Sequence, residues 1–230
     1  MGGAAGARPA SSEAGRGRFP GFDVLSQSEH WDQATAGVVL SRIGVSPAIR
    51  FLDPAQLAAA TALCDQLLDQ HDDYEEQRVP VVDMIDARLA EEQTDGWRYQ
   101  DMPEDGQAWR DSLAALDQDA TERFGGVFAS CSREHQATLV QAIQDRGSDT
   151  WHGMPAAHVW SLWTRYACTA FYAHPAAWNE IGFPGPAYPR GYKNPGVDGR
   201  EPFEVRDARP AENPDGGAPD GGAPESKGAP

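Results

Sequence analysis

The sequence lacks the motifs with which most soluble enzymes hold a cofactor or a nucleophile. It contains no G-x-G-x-x-G after a strand-like run, no G-x-x-x-x-G-K-[ST], no H-E-x-x-H and no G-x-S-x-G. Those motifs place a pyrophosphate, a nucleotide phosphate, a zinc ion and a reactive serine, respectively. We therefore expect no cofactor bound by this chain, and no residue is assigned a catalytic, cofactor-binding or metal-binding role.

Cysteine is scarce and scattered. Cys64, Cys131 and Cys168 lie far apart, and no C-x-x-C occurs. This spacing argues against a disulfide scaffold, a zinc ribbon, a haem attachment site and an iron–sulfur cluster. The expected state is three free thiols in the helices of a cytoplasmic protein, and the alternative is one cysteine joined to a partner chain.

Long apolar runs are missing as well. None approaches the roughly 18 residues that a membrane-spanning helix needs. Residues 1–20 contain neither an apolar signal-peptide core nor paired arginines before one. We therefore expect a cytoplasmic location, and the alternative is co-export with a partner that carries the signal.

Basic residues are outnumbered, with 19 Lys and Arg against 35 Asp and Glu and a net charge of -16. Such a charge repels phosphate backbones and anionic membranes, so neither is an expected partner. Leu, Ile, Val and Phe together number only 37 of 230 residues, a share typical of highly charged chains near disorder. The predicted core is thin, which favours a protein that buries surface against another chain.

Composition divides the chain into four predicted segments, and all seven tryptophans lie within residues 19–192. The ends are rich in Gly, Pro and Ala, and the sequence DGGAP occurs twice in tandem near the C-terminus. The predicted segments are a disordered arm (1–18), an extended partner-wrapping segment (19–50), a helical domain (51–192) and a Pro/Gly-rich, mostly disordered tail (193–230).

Between the ends the pattern is helical, and strand signals are absent. Asp53 followed by Pro54 and Gln56 is typical of a capped helix start. Further predicted helices cover 80–91, 108–125 with a break at Asp117, 132–146 capped by Ser132, and the residues from Pro155 onward. The predicted fold class is all-α, a small irregular bundle of about five or six helices.

The clearest helix begins near Pro155. Its apolar residues recur at helical spacing over more than three turns, so we place this stripe in the core. The stripe consists of Val159, Leu162, Trp163, Tyr166, Ala167, Ala170 and Phe171. Trp160 lies about 100° from the near edge of the stripe, where a large side chain can reach solvent.

The segment that follows, residues 171–192, is rich in aromatic residues and contains four prolines. We name it the C-terminal strap. Its exposed rings would be an aggregation hazard, so they must pack on this protein or on a partner, and the sequence leaves both open. Tyr, Trp and Arg are enriched at interface hot spots. The predicted partner-binding residues are Trp160, Phe171, Tyr172, His174, Trp178, Phe183, Tyr188, Arg190 and Tyr192.

The histidines near the strap support an alternative. His174 precedes Pro175, where a helix should end, and a histidine there can interact with the last carbonyls. His152, His158, His174 and Glu180 could instead serve a stand-alone helical enzyme or metal-binding protein. Nothing in their spacing predicts a shared site, because a six-residue separation does not place two histidines on one helical face.

The order of these motifs resembles the gluconate 2-dehydrogenase subunit 3 family over about residues 51–192. The resemblance rests on four motifs. The first helix opens with FLDPAQL, and the second starts at Val79-Pro80 and contains Met84-Ile85-Asp86. The third motif consists of Leu113, Leu116 and Asp117 followed by Phe124, Gly125 and Phe128, and the fourth is GFPGPAY at 182–188. Exported members often begin with a twin-arginine signal, which residues 1–20 lack.

The resemblance implies a small accessory subunit of a flavin-dependent sugar or polyol dehydrogenase. A large flavoprotein of the glucose–methanol–choline (GMC) oxidoreductase type would carry the FAD and the chemistry. A cytochrome subunit is a further implied partner. The small subunit would support maturation, stability or export of the large one.

Overall fold

The computed structural model describes residues 19, 21–44, 46–70, 78–194, 196 and 199–205. The predicted disordered arm and the tail from about residue 206 lie outside the described residues. The chain divides into two units, one of Ala34–Ala177 and one of Met1–Gln33 together with Trp178–Pro230. The segment predicted as one helical domain therefore contributes residues to both units.

The described residues are mostly helical, which confirms the predicted all-α class. They form seven α-helices, two 3₁₀ helices and one short hairpin, a helix count above the five or six predicted. The α-helices are α1 (Gln33–Ser41), α2 (Pro54–Leu68), α3 (Val81–Ala90), α4 (Asp105–Phe124), α5 (Arg133–Asp145), α6 (Ala156–Ala173) and α7 (Pro175–Ile181). The 3₁₀ helices are Val24–His30 and Phe128–Ser130. No helix among these residues is long and apolar enough to cross a membrane.

Two predicted helix starts are confirmed by their caps. The Asp53 carboxylate accepts hydrogen bonds from the N–H groups of Ala55 and Gln56, and the Gln56 side chain accepts from the Asp53 N–H. This reciprocal pair satisfies N–H groups that the first turn of α2 leaves open. The hydroxyl of Ser132 accepts from the N–H of His135 and caps α5 in the same way.

The predicted break at Asp117 is wrong, because α4 is continuous over 20 residues. The Asp117 carboxylate does not cap a second helix. It accepts a hydrogen bond from the Phe128 N–H at 2.8 Å and so secures the 3₁₀ turn that follows. The apolar stripe runs past this point, since Leu116 and Ala120 are both fully buried.

The prediction that strands are absent is also wrong at one place. Residues β1 (Thr150–Trp151) and β2 (Met154–Pro155) pair antiparallel. The two turn residues, His152 and Gly153, have φ of 46° and 83°, the left-handed conformation that two-residue hairpin loops require. Strands of two residues are too short to show alternation, and histidine is an unusual choice for this turn.

The segment predicted as extended, residues 19–50, contains two helices instead. Residues Val24–His30 form a 3₁₀ helix that begins at Asp23, whose carboxylate accepts from the Leu25 N–H at 3.0 Å. Helix α1 follows, and residues 46–50 have no regular secondary structure. Partner wrapping by this segment stays a prediction.

Helix α6 forms the centre of the Ala34–Ala177 unit, where it packs against α2, α3, α4 and α5. Aromatic rings fill this core: Trp109, Trp163 and Tyr166 are all buried. The indole N–H of Trp163 donates to the Ser112 hydroxyl at 2.9 Å, so this buried polar atom is satisfied. Large rings thus supply volume that the few aliphatic residues cannot.

The residues just before α2 are bound to α3 and α4 through polar contacts. The carboxylate of Asp86 on α3, which is 0% exposed, accepts hydrogen bonds from the backbone N–H groups of Arg50, Phe51 and Leu52 at 2.7, 2.9 and 2.8 Å. Arg110 on α4 donates to the Phe51 carbonyl at 3.2 Å and stacks over its ring at 3.9 Å. Three N–H donors compensate the buried charge of the carboxylate.

Replacing Asp86 by alanine should lower the free energy of unfolding by about 3–5 kcal/mol, because the buried Leu52 N–H and the part-buried N–H groups of Arg50 and Phe51 lose a charged acceptor. Urea unfolding followed by circular dichroism measures this loss. Asp83→Ala on the same helix is the control. Asp83 lies in the first turn of α3, where a carboxylate interacts with the helix dipole for about 0.3–1 kcal/mol. Equal losses for the two variants would contradict the role given to Asp86.

Candidate partner-binding site

Helix α6 carries three of the predicted partner-binding residues. The predicted core stripe is confirmed, since every member is buried except Phe171, which is half-buried against the core. Trp160 is also half-buried against the core. Tyr172 is 50% exposed, and its ring meets that of Phe171 edge-on at 5.2 Å. Of the three, Tyr172 presents the most surface to solvent.

A polar network holds α6 on α3 and α4. The Tyr166 hydroxyl donates to the buried carboxylate of Asp105 at 2.7 Å, and Arg165 pairs with both Asp105 and Asp95. Burial, followed by the hydrogen bond and charge of Asp105, raises the pKa of Tyr166 well above its usual value. Desolvation opposes ionisation of Asp95, but Arg88 and Arg165 hold its pKa below the usual range. The network therefore consists of fixed donors and acceptors that position the helix.

His174 ends α6, as predicted, and is only 8% exposed. Its Nδ1 accepts a hydrogen bond from the Ala176 N–H at 3.2 Å. Burial lowers the pKa of His174, an effect larger than the opposite effect of its hydrogen bond to the Arg42 backbone. Arg42 in turn donates to the Ala173 carbonyl at 2.7 Å, one of the carbonyls left open at a helix end. His174 is thus a buried, neutral group of the helix terminus.

The strap continues in helix α7, a helix that the sequence analysis did not predict. Pro175 starts this helix, a position that tolerates proline because its missing N–H would have no helical acceptor. Trp178 is 5% exposed, and its carbonyl accepts the Phe183 N–H at 2.9 Å. The rings of Trp178 and Phe183 meet edge-on at 5.3 Å. This pair is packed within the chain.

From residue 178 onward the strap packs on the N-terminal segment of the same unit. Gly185 has a φ of +80°, and a Cβ there would lie 2.5 Å from the Trp31 ring and 3.3 Å from Val24. The Val24 N–H donates to the side-chain oxygen of Asn179 at 2.8 Å. Glycine is therefore required at 185 both by its backbone angle and by the close approach of an indole.

The end of the strap contacts the segment that follows it. The Arg190 guanidinium stacks over the Phe203 ring at 3.9 Å and donates to the Gln27 side chain at 3.2 Å. The Tyr192 ring lies 6.0 Å from the same Phe203. Arg190 therefore contacts both the segment that follows the strap and the N-terminal segment. Phe203 of the predicted tail is thus in contact with the strap.

The nine predicted partner-binding residues divide into two groups. Six are buried or half-buried: Trp160, Phe171, His174, Trp178, Phe183 and Arg190. The other three are exposed: Tyr172 at 50%, Tyr188 at 65% and Tyr192 at 57%; Ile181 on α7 adds a fourth apolar side chain at 48%. Part of the strap is therefore self-packed, and partner contact by the exposed group stays a prediction.

The histidines of the alternative site have separate environments. His152 Nε2 lies 2.7 Å from Asp119, which also accepts the Trp151 indole N–H. His158 Nδ1 lies 2.9 Å from Asp101. Within the described parts of the chain, no group of three histidines, cysteines or carboxylates could hold a metal ion.

Sequence reasoning did not select two exposed aromatic residues between α3 and α4. Trp97 is 50% exposed and Tyr99 is 37% exposed. Their rings meet edge-on at 5.4 Å, Tyr99 stacks on His158 at 3.6 Å, and Arg165 lies over Trp97. The sequence W-x-Y within a polar segment could have indicated this pair, since two large aromatic rings in a loop are ordinarily packed on the protein or on a partner.

Comparison with known proteins finds one family. The model described as gluconate 2-dehydrogenase subunit 3 matches residues 54–185, which is more than half of the chain. The match starts at the first residue of α2 and ends within the strap, so it supports the resemblance drawn from the motifs. No curated protein and no solved structure matches the chain.

His174 should make folding stability fall as the pH drops below about 6.5, the ordinary histidine pKa. Its folded-state pKa is lower, so the unfolded chain binds the proton first, and acid favours unfolding. We expect His174→Asn, which keeps an acceptor for the Ala176 N–H, to flatten the thermal-midpoint profile between about pH 7 and 5. The control is His30→Asn at an exposed position. Parallel profiles for wild type and His174→Asn would refute this.

Gly185→Ala should loosen the N-terminal segment more than Gly191→Ala. Both glycines have positive φ, but a Cβ at 191 meets nothing within 4 Å. The difference in stability between the two variants therefore reports the clash with Trp31, and overpacking of this kind costs about 1–3 kcal/mol. Hydrogen–deuterium exchange of peptides covering residues 21–33 measures the effect. Equal exchange in both variants would show that the close approach at 185 does not hold the segment.

Proposed function

Because the chain belongs to the gluconate 2-dehydrogenase subunit 3 family, we propose that it is the non-catalytic small subunit of an FAD-dependent sugar or polyol dehydrogenase. Membership itself makes it an accessory subunit of a multi-subunit dehydrogenase. We propose further that the large subunit is a flavoprotein of the GMC type, with a cytochrome subunit as electron acceptor. The small subunit then supports maturation, stability or export of the large one.

The match over residues 54–185 is the observation that carries this proposal, and the exposed side chains of the strap support it. Tyr188 and Tyr192 are each more than half exposed. Tyrosine at a protein surface offers large amphipathic contact area at low entropic cost, and it is enriched at hot spots. Burying the apolar surface of such rings against a partner contributes favourably to the binding free energy.

The self-packed part of the strap favours binding through the exposed part. Gly185 against Trp31 and the Trp178–Phe183 pair limit the conformations open to the segment. Arg190 is likewise held by Gln27 and Phe203. A segment already ordered before binding loses less entropy when it docks, so more of the contact energy appears as affinity.

In this proposal the redox chemistry belongs to the large subunit. The FAD is bound there, and the small chain contributes surface rather than a cofactor pocket. Trp163 lies in the core of the small chain, whereas Tyr188 lies at its surface.

Co-expression tests the assignment directly. We expect the chain purified alone to be colourless and redox-inactive. Co-expression with a GMC-type flavoprotein from the same source should give a yellow complex with a higher yield of flavin-loaded large subunit. A large subunit that loads flavin, acts and survives heating equally well without this chain would overturn the proposal, as would stoichiometric zinc or iron in the isolated chain.

Substitution of the exposed rings tests the role of the strap. Tyr188→Ser combined with Tyr192→Ser should weaken the complex at least tenfold, because hot-spot truncations typically cost about 2 kcal/mol or more. The helical circular dichroism and thermal midpoint of the isolated chain should be unchanged.

Phe183→Ala is the matched comparison, since this ring packs on Trp178 and its loss should first lower stability. Affinity measured by biolayer interferometry separates the two effects. If the double tyrosine variant binds as tightly as wild type, the exposed part of the strap is not the contact surface.

A further inference from the structure

Arg190 in the strap leaves part of its guanidinium unpaired although that part is buried. Its Nη1 donates to the Gln27 side chain at 3.2 Å. Its Nε and Nη2 are shielded from solvent and have no hydrogen-bond acceptor among the described residues. A buried N–H group of a charged side chain is costly when it loses water and finds no acceptor, so this arrangement requires an explanation.

The composition of the chain makes an unpaired arginine unexpected. Acidic residues outnumber basic ones by 35 to 19. Other arginines pair with this excess of carboxylates, as Arg78 does with Asp65 and Arg88 does with Asp95. In the part of the chain that the structure describes, no carboxylate reaches the Nε and Nη2 of Arg190.

Carboxylates of the segment that follows the strap are already engaged. Glu201 accepts hydrogen bonds from the backbone N–H groups of Lys193 and Asn194, and Glu204 accepts from the Glu201 N–H at 2.6 Å. The sequence has no Asp or Glu from residue 181 to residue 197, a stretch that contains Arg190 and Lys193. Local positive charge in an acidic chain favours an anionic acceptor from elsewhere.

The unpaired nitrogens define the chemistry of this acceptor. Nε and Nη2 lie on one edge of the planar guanidinium and together present two parallel N–H groups. The two oxygens of a carboxylate match this edge in the bidentate arrangement. Gln27 and Phe203 fix the plane of the guanidinium, the first by the hydrogen bond to Nη1 and the second by stacking at 3.9 Å. The edge is therefore preorganised for a carboxylate.

We infer that Arg190 binds an aspartate or glutamate side chain of the large dehydrogenase subunit, an inference that rests on the proposed function. The carboxylate accepts from Nε and Nη2, so the complex pairs donors that the free chain leaves unpaired. Because these nitrogens are shielded in the free chain, the side chains around them shift when the carboxylate enters.

The exposed tyrosines indicate that the carboxylate belongs to a protein. Tyr188 and Tyr192 lie two residues before and after Arg190 and are 65% and 57% exposed. The Gly191 N–H donates to the Ala187 carbonyl at 2.8 Å, which closes the turn that contains Tyr188 and Arg190. A free carboxylate would cover little of these rings, whereas a protein surface covers both and excludes water from the ion pair. Exclusion of water strengthens the attraction between the charges.

Zero-length cross-linking of the complex tests the inference. Arg190→Lys keeps the positive charge but supplies an amine, which a carbodiimide joins to a neighbouring carboxylate as an amide; the carbodiimide takes up the water released and becomes a urea. At concentrations that saturate the complex, mass spectrometry should find a cross-link from position 190 to an Asp or Glu of the large subunit. Arg200→Lys, at an exposed arginine, is the matched control and should give only background. A complex that forms without the cross-link from position 190 would overturn the inference.

Affinity measurements separate binding from folding. Arg190→Lys should weaken the complex about tenfold or more, because an ammonium lacks the bidentate edge. Arg190→Glu should weaken it further, because two carboxylates then face each other. Arg200→Lys should change the affinity less than about twofold. Thermal unfolding of each isolated variant checks the fold. Equal affinities for Arg190→Lys and Arg190→Glu would show that this position meets no charge on the partner.

Two further outcomes are distinguishable. If the wild-type chain forms no complex with the large subunit, the proposed function itself fails. If sodium gluconate or inorganic phosphate binds the isolated chain with submillimolar affinity, and Arg190→Gln abolishes that binding without changing the affinity for the large subunit, the site holds a small anion and the inference is wrong.

Discussion

The Ala34–Ala177 unit depends on one buried carboxylate, that of Asp86. The three N–H groups it accepts belong to residues 50–52, which precede α2 and have no helical acceptors of their own. Unpaired buried N–H groups are costly, so the buried backbone of Leu52 requires an acceptor such as this carboxylate. The carboxylate lies on α3 and Arg110 of α4 holds the Phe51 carbonyl, so the start of α2 is fixed relative to both helices.

Helix α3 connects this junction to α6. Arg88, two residues beyond Asp86, lies over the Tyr166 ring at 4.7 Å and pairs with Asp95. Tyr166 reaches across to Asp105 at the start of α4. Helices α3 and α4 are therefore joined twice, once around Asp86 together with the start of α2 and once around Tyr166 together with α6. Directional contacts of this kind complement the thin aliphatic core, because they select one arrangement of helices that generic apolar packing would not distinguish.

The sequence was most informative where one local signal decided the structure. The capping box at Asp53, the cap at Ser132 and the stripe of α6 each depend on neighbours within a few residues, and all three are confirmed. Asp117 was misjudged because its acceptor role is satisfied by Phe128, eleven residues away. Gly185 is explained by Trp31, more than 150 residues earlier in the chain, and no local pattern carries that information. For the same reason, the sequence could not show which predicted partner-binding residues pack within the chain and which are exposed.

The division of the strap into packed and exposed rings bears on how an accessory subunit can be stable alone and still bind. If every aromatic ring were exposed, the free chain would be prone to aggregate; if every ring were packed, no surface would remain for a partner. The rings of Trp178 and Phe183 pack against each other and order the segment, so Tyr188 and Tyr192 can remain exposed on it. This division is what a protein needs when another subunit covers its exposed rings.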